Sequence, residues 1–574
     1  MSSSNNIIIQ EYLSSLKEDN ELDLLFPILL NVMGYRIVQT AKESKGQSQY
    51  GKDIIAIGKD KHGIKHRWYF ELKGYQDKDI TDKNFGIRDG ILESIREAKY
   101  TAFSDSSIPE FNHLPIKIVV VHNGILKPNL RPTFEGFISA EFKPEEFERW
   151  DIYHLTDLFS EFLFSEYLLS DSESNRLFKR TLAFLDAPDN DFLDLKKLIE
   201  IQFEKVSSIS GRAFKKLFAT LNLVTSIIFH YSKENDNLIS AKECSDYIVL
   251  KTWAWILQNK FEKKQSVLNE FRKILRTQYQ ILNTYFSKTF SVATIENGLY
   301  AENGTSFEAA GYPLRCFEYL SDLIYFCNLR LYFPDFDRKS KAYKRLHNSQ
   351  KDKIIELIEN NVGFFRPLLD NHSIPILQLF LFFMDKTTWR QKDINFITSY
   401  IFGIIAGLLV IKLKRGRFPE GYNRINLLLE YVSSAVRPDE YIDNSSILIA
   451  VLIELLVLHN AKETYENLKS HIDENMHLQI AHPNINDYDI EQLLFKKHMD
   501  NEYYIEGPFS IDDNFDDFKK KVRKKEYDKI IFRTDEAGFP FLRILAHKYF
   551  KNEIFPFEWR ELIAEQNEIK IEDR

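Results

Sequence analysis

Three side chains in the first part of the chain have the types and spacing to act on a phosphodiester: Asp53, Glu71 and Lys73. Asp53 opens an apolar run, DIIAI at 53–57, and Glu71 and Lys73 close another, WYFELK at 68–73. Side chains alternate across a strand, so Glu71 and Lys73 would share one face while Leu72 points to the other, into the core. The polar stretch GKDKHGIKHR between the runs reads as a hairpin connection, which would bring Asp53 beside Glu71. Two carboxylates then converge next to an ammonium. A hard cation, Mg²⁺ or Mn²⁺, takes oxygen ligands of this kind, and the backbone carbonyl of Leu72 is a candidate third. Such a metal acidifies a bound water and polarises phosphate. Lys73 would orient or deprotonate that water, or stabilise transition-state charge. A Glu-x-Lys string is common by chance. Its weight here comes from two charges ending an apolar run, where they are costly unless used.

The elements that must position these residues alternate helix and strand signals. ELDLLFPILLNVM at 21–33 has helical periodicity and stops at Gly34. Residues 35–40 read as a short strand, 86–103 as a helix, and IKIVVV at 116–121 as a strand buried on both faces. A last strand is expected at 151–154, with a helix starting at Thr156 or Asp157. The order α-β-β-β-α-β-β-α implies an α/β domain, a mixed sheet flanked by helices.

Taken together, LLFPILLNVMGY at 24–35, GKDIIAIG at 51–58, YFELKG at 69–74, IKIVVVHNG at 116–124 and WDIYHLTDLFSEFL at 150–163 resemble the restriction-endonuclease-like PD-(D/E)xK nuclease superfamily, nearest its Mrr-like branch. The resemblance covers about residues 10–170. Mrr-like members often carry Gln where this chain has Glu71. The resemblance implies a metal-dependent endonuclease, with DNA the expected substrate. It also implies an acid in the first helix, for which Asp23, eleven residues before Gly34, and Glu21 are the candidates. Lys78, Lys83 and Arg88 follow the ELK strand and are candidates for contacting nucleic acid. By analogy of architecture, a bacterial antiphage-defence or restriction effector is implied. The alternatives are a catalytically silent nucleic-acid-binding or assembly protein, and a ribonuclease.

The chain has 574 residues, a net charge of -8 and 28% charged residues. An acidic balance excludes a constitutive, nonspecific DNA coat, so any nucleic-acid contact must be local. Cys244, Cys316 and Cys327 are too few and too scattered for a disulfide framework or a zinc knuckle. The N-terminus has no basic segment followed by a long apolar one, so no signal peptide is expected and a cytoplasmic location is. After about residue 170 the strand signal fades. Successive amphipathic segments imply a large all-α region, in two lobes at 171–340 and 341–574, suited to sensing, homo-oligomerisation or binding a partner protein. The apolar stretch at 396–411 carries Gly403 and Gly407, the small-residue spacing of membrane helices. At 16 residues it is shorter than the roughly 18–20 a bilayer requires, so a buried core helix and no membrane are expected. Gly46-x4-Gly51-Lys52 lacks the following Ser or Thr of a phosphate loop. Arg149 and His154 have an Arg-x4-His spacing seen in helical ribonucleases, but they fall near a strand. The basic run 519–525 reads as a solvated helix face balancing the acids of 511–517.

Overall fold

The computed structural model describes residues 3–40, 50–88, 90–163, 171–187, 190–206, 211–482, 489–496, 504–523 and 530–565. The first 163 contain a mixed five-stranded sheet with helices on both faces. The elements are α1 (Ser3–Ser14), a π-helical turn (Glu18–Leu22), α2 (Asp23–Val32), β1 (Arg36–Gln39), β2 (Ile54–Lys59), β3 (Lys65–Lys73), α3 (Asp82–Phe85), α4 (Ile91–Tyr100), β4 (Ile116–His122), α5 (Arg131–Glu141), β5 (Phe147–Trp150) and α6 (Ile152–Phe162). The sheet order is β1-β2-β3-β4-β5. β1, β2 and β3 pair antiparallel, and β3, β4 and β5 pair parallel.

The β2–β3 hairpin closes where expected. Asp60 accepts from the backbone N–H groups of His62 and Ile64, both at 2.9 Å, and Gly63 takes the left-handed turn at φ +80°. Ile118 through Val121 are at most 2% exposed, as a strand covered on both faces requires. On one face Ile55, Tyr69, Ile118 and Val120 pack with Ile91, Ile95 and Phe134 of α4 and α5. On the other, Phe70 meets Phe26 of α2 at 5.2 Å and Trp150 at 5.5 Å.

Three local expectations need correction. The last strand ends at Trp150, and Asp151 does not continue it. Its carboxylate accepts from the N–H groups of Tyr153 and His154 and caps α6 five residues ahead of the expected start at Thr156. The helix read across 86–103 is shorter, α4 alone, which starts after Gly90, and a separate turn of helix, α3, precedes the expected segment with a capping box from Thr81 and Asn84. The helices α1 and α5 had no counterpart in the sequence reading.

By compactness the chain forms two units, one of 1–248 with 265–278 and one of 249–264 with 279–574. This division differs from boundaries at 170 and 340. The first unit takes in α7 (Ser172–Ala183), α8 (Leu193–Glu204), α9 (Gly211–Glu234) and α10 (Leu238–Gln258) up to residue 248. The reason is that α1 packs on α9, and Glu21 and Glu11 pair with Lys216 and with Lys273 of α11 (Gln265–Ala293). The sheet domain therefore shares its packing with helices that follow it by a hundred residues.

The second unit is helical, with α12 (Glu308–Tyr332) buried along most of its length beside α13 (Lys341–Glu359) and α14 (Ser373–Phe383). It also holds a small three-stranded sheet, Ser445–Ser446, His477–Ala481 and Tyr504–Glu506, absent from the all-helical expectation. The apolar stretch at 396–411 lies in α15, Gln391–Arg415, whose 25 residues make it long and apolar enough to cross a membrane by length and composition; 33% of its most apolar window is buried. It is longer than the apolar run because Asp393 and Arg390 build a polar start and Lys412–Arg415 a basic end. Its two glycines serve close packing within the chain. A Cβ on Gly407 would lie 2.0 Å from the carbonyl oxygen of Phe365, and one on Gly403 would lie 2.5 Å from that residue's ring. In the helix Phe515–Arg523, Lys520 and Lys521 pair with Asp517 and Asp513, and Lys524 and Lys525 lie outside the described residues.

Candidate active site

The antiparallel ladder of β2 and β3 ends at Asp53, whose N–H donates to the Phe70 carbonyl at 2.9 Å. Two and three residues earlier the chain turns away through Gly51 and Tyr50, both at positive φ. Gly51 is required there, because a Cβ would meet the Ser94 carbonyl oxygen of α4 at 1.9 Å. The next N–H of β3, that of Leu72, therefore has no ladder partner on β2. The Asp53 carboxylate takes its place, accepting that N–H at 2.7 Å. This fixes the carboxylate beside the strand carrying Glu71 and Lys73, with Leu72 fully buried between them.

Glu71 and Asp53 are 4% and 6% exposed. Lys73 Nζ lies 2.9 Å from Glu71 Oε1 and 3.5 Å from Glu18 Oε1. Burial raises Asp53 well above the usual carboxylate range, and the Glu71 charge adds to it; Lys73 and the Leu72 N–H oppose both. Burial also raises Glu18, more than Lys73 lowers it. Burial acts to lower Lys73, but Glu71, Glu18 and Asp53 together outweigh it, so its pKa is raised and it stays an ammonium. That state favours orientation and charge stabilisation over deprotonation of water.

Glu18 was not among the first-helix candidates. It begins the π-helical turn after α1, and close contact between the chain there and the end of β3 brings it in. A Cβ on Gly74 would fall 2.0 Å from the Glu18 nitrogen, so only glycine permits the approach. Tyr75 N–H donates to the Leu16 carbonyl, and Asn123 Nδ2 donates to the carbonyls of Leu13 and Leu16 at 2.7 and 2.8 Å. Glu21 instead accepts from the Lys17 N–H and pairs with Lys216. Asp23 opens α2, half-buried.

Lys52 is a second ammonium that the sequence reading met only in a discarded motif. It is 3% exposed, donates to the Tyr50 carbonyl at 2.9 Å and lies 5.4 Å from the Tyr69 ring centroid. Burial lowers it to about 8, against the upward pull of Glu97 and Glu71. His122 stands opposite Lys73 in the β3–β4 register. Its Nδ1 meets the Lys78 carbonyl at 2.9 Å and its Nε2 meets Arg149 Nη1 at 3.2 Å. Burial takes the imidazole down to about 4, so near neutrality Nδ1–H donates and Nε2 accepts. Arg149 also reaches Asp151, while His154 packs against Trp150. Of the candidate nucleic-acid residues, Lys78 is tied to the Ser14 carbonyl at 3.3 Å, and Lys83 and Arg88 are exposed.

Two adjacent buried carboxylates are a donor set that suits a hard divalent cation, whose charge would offset the burial and the Glu71 repulsion that raise the Asp53 pKa. Among the described residues no group of three or more His, Cys, Asp or Glu is arranged to hold a metal, so water, phosphate or a backbone carbonyl such as that of Leu72 would have to complete the shell. Comparison with models of protein families, with curated proteins and with solved structures finds no match for this chain.

Proposed function

We propose that the sheet domain hydrolyses phosphodiester bonds in nucleic acid, as a metal-dependent endonuclease of the PD-(D/E)xK type. The observation that carries this is the convergence of Asp53, Glu71 and Lys73 at one end of the β2–β3 hairpin, joined there by Glu18. Asp53 and Glu71 would hold Mg²⁺ or Mn²⁺, which when bound supplies an acidified water and a Lewis acid for phosphate. Lys73, held as an ammonium by three carboxylates, stabilises negative charge on the phosphoryl oxygens and orients the attacking water. Glu18, together with Glu71, sets the position of that ammonium. Lys52 adds positive charge near Glu71. DNA is the substrate favoured by the sequence resemblance, and a cytoplasmic defence or restriction effector the setting, with the helical remainder as its regulatory or assembly part.

The test is incubation of the full chain with supercoiled plasmid and with labelled RNA, in magnesium, manganese or chelator. Nicking or linearisation that needs the metal is expected, with RNA left intact. Equal cleavage in chelator, or none under any condition, rejects the reading. Binding without cleavage is the second reading, favoured because no group of three acidic or imidazole side chains among the described residues is arranged to hold a metal. It predicts retention of DNA on a gel with the plasmid intact in every metal.

A further inference from the structure

The helical unit has a cavity of about 290 Å³ between α11, α12 and α13. Its size sits at the small end of ligand pockets, which begin near roughly 300 Å³. The inner wall is aromatic: Phe286 and Phe326 are buried and stacked with centroids 4.9 Å apart. Phe290 stands at the rim, half-buried, with Lys353 Nζ 5.7 Å from its ring centroid. Gln350, 4% exposed, also lines the cavity. Its Nε2 donates to the Cys327 carbonyl at 3.1 Å, and its Oε1 is buried with no hydrogen-bond partner among the described residues. A buried acceptor left unpaired costs about 1–3 kcal/mol, so it is a feature to be explained.

The charges on this cavity are of one sign. Arg330 and Lys353 both line it, and the fields of both reach the same buried thiol, Cys327. Neither has an ion pair among the described residues, although the chain has a net charge of -8 and pairs most of its partly buried arginines. Two cations without counter-ions, next to an aromatic wall, suit a ligand that joins a planar ring to an anion. The unpaired amide oxygen adds a demand for an N–H donor.

We infer that this cavity binds a nucleoside monophosphate, with the base against the Phe286–Phe326 wall, an N–H of the base directed at Gln350 and the phosphate on Arg330 and Lys353. The site lies wholly within the helical unit and is independent of the nuclease reading. A ligand there would bridge three helices and stabilise their packing.

The experiment is calorimetry on the full chain with AMP, GMP, CMP and UMP, with adenosine and inorganic phosphate as controls. At least one nucleotide should bind saturably with a Kd below about 1 mM. Adenosine and phosphate should each bind at least about tenfold more weakly than the nucleotide, since each keeps one half of the recognition. Arg330→Ala and Lys353→Ala alter half-buried and exposed side chains, so the fold should survive, as circular dichroism would check. Each should weaken the nucleotide at least about tenfold while leaving adenosine unchanged. No binding of any of the four nucleotides at millimolar concentration overturns the inference. So does binding that both folded variants retain in full, which would put the nucleotide elsewhere on the chain.

Discussion

Each unit of the molecule buries a lysine beside carboxylates, and the two clusters are balanced in opposite ways. In the helical unit, Lys351 and Asp393 have fully buried side chains. Lys351 Nζ donates to the Phe383 carbonyl, Thr388 Oγ1 and Asp393 Oδ2, filling its three donor positions at 3.0–3.3 Å. Asp393 accepts from the Arg390 backbone and guanidinium as well. Charges and hydrogen bonds close on each other. In the sheet domain Lys73 contacts two carboxylates, Glu71 and Glu18, and the pKa of nearby Asp53 is raised by burial and by the Glu71 charge. Buried ions cost free energy wherever they are, and hydrogen bonds that satisfy them offset it. The first cluster is arranged for stability. The second crowds carboxylates around one ammonium and holds Asp53 at a strongly raised pKa, as a site for chemistry does.

Substitutions should separate the two. Asp393→Ala leaves the fully buried Lys351 without its carboxylate and should lower stability by about 3–5 kcal/mol, read by denaturant unfolding, with plasmid cleavage per folded molecule unchanged. Lys73→Ala should do the reverse. Cleavage should fall at least about a hundredfold, equivalent to roughly 3 kcal/mol in the transition state, while the melting temperature stays near wild type. Leu72→Ala, one residue away on the core face, should instead cost about 2–5 kcal/mol of stability. If Lys73→Ala unfolds the domain as Asp393→Ala does its own unit, the contrast between the clusters is lost.

The pH dependence gives a smaller effect. His122 has a folded pKa near 4 against an ordinary 6.5, so its neutral form favours the fold above pH 6.5 and that contribution fades as pH falls toward 4. Its size is on the order of 2–3 kcal/mol, and His122→Gln should flatten this part of the stability curve. Asp53 runs the other way. Its raised pKa favours the fold at low pH, and the advantage is lost as pH rises through the folded value. Asp53→Asn, which can still accept the Leu72 N–H, should therefore stabilise the metal-free protein at pH 8 by about 1 kcal/mol and abolish cleavage. A destabilised Asp53→Asn protein would mean that the carboxylate is there for structure.

The first four strands of the sheet and the pairing of Asp53 with the Glu-x-Lys strand were legible in the sequence because they follow from local rules. Alternation in WYFELK assigns Glu71 and Lys73 to one face, DIIAI supplies the adjoining strand, and the polar residues between make the hairpin. The apolar run at 116–121 announced a central strand on composition alone. Glu18 and the place of Lys52 could not be found that way. Glu18 reaches Lys73 because Gly74 has no side chain to hold the two segments apart, and because Asn123, a hundred residues on, binds the carbonyls at the end of α1. No periodicity links positions so distant. The same holds for the unit boundary, which departs from 170 because α1 packs on α9, and for α15, where Phe365 lies against both glycines. Side-chain alternation and turn chemistry are properties of neighbours along the chain. Which buried charge finds a partner, and which is left for a ligand, depends on segments that meet only after folding.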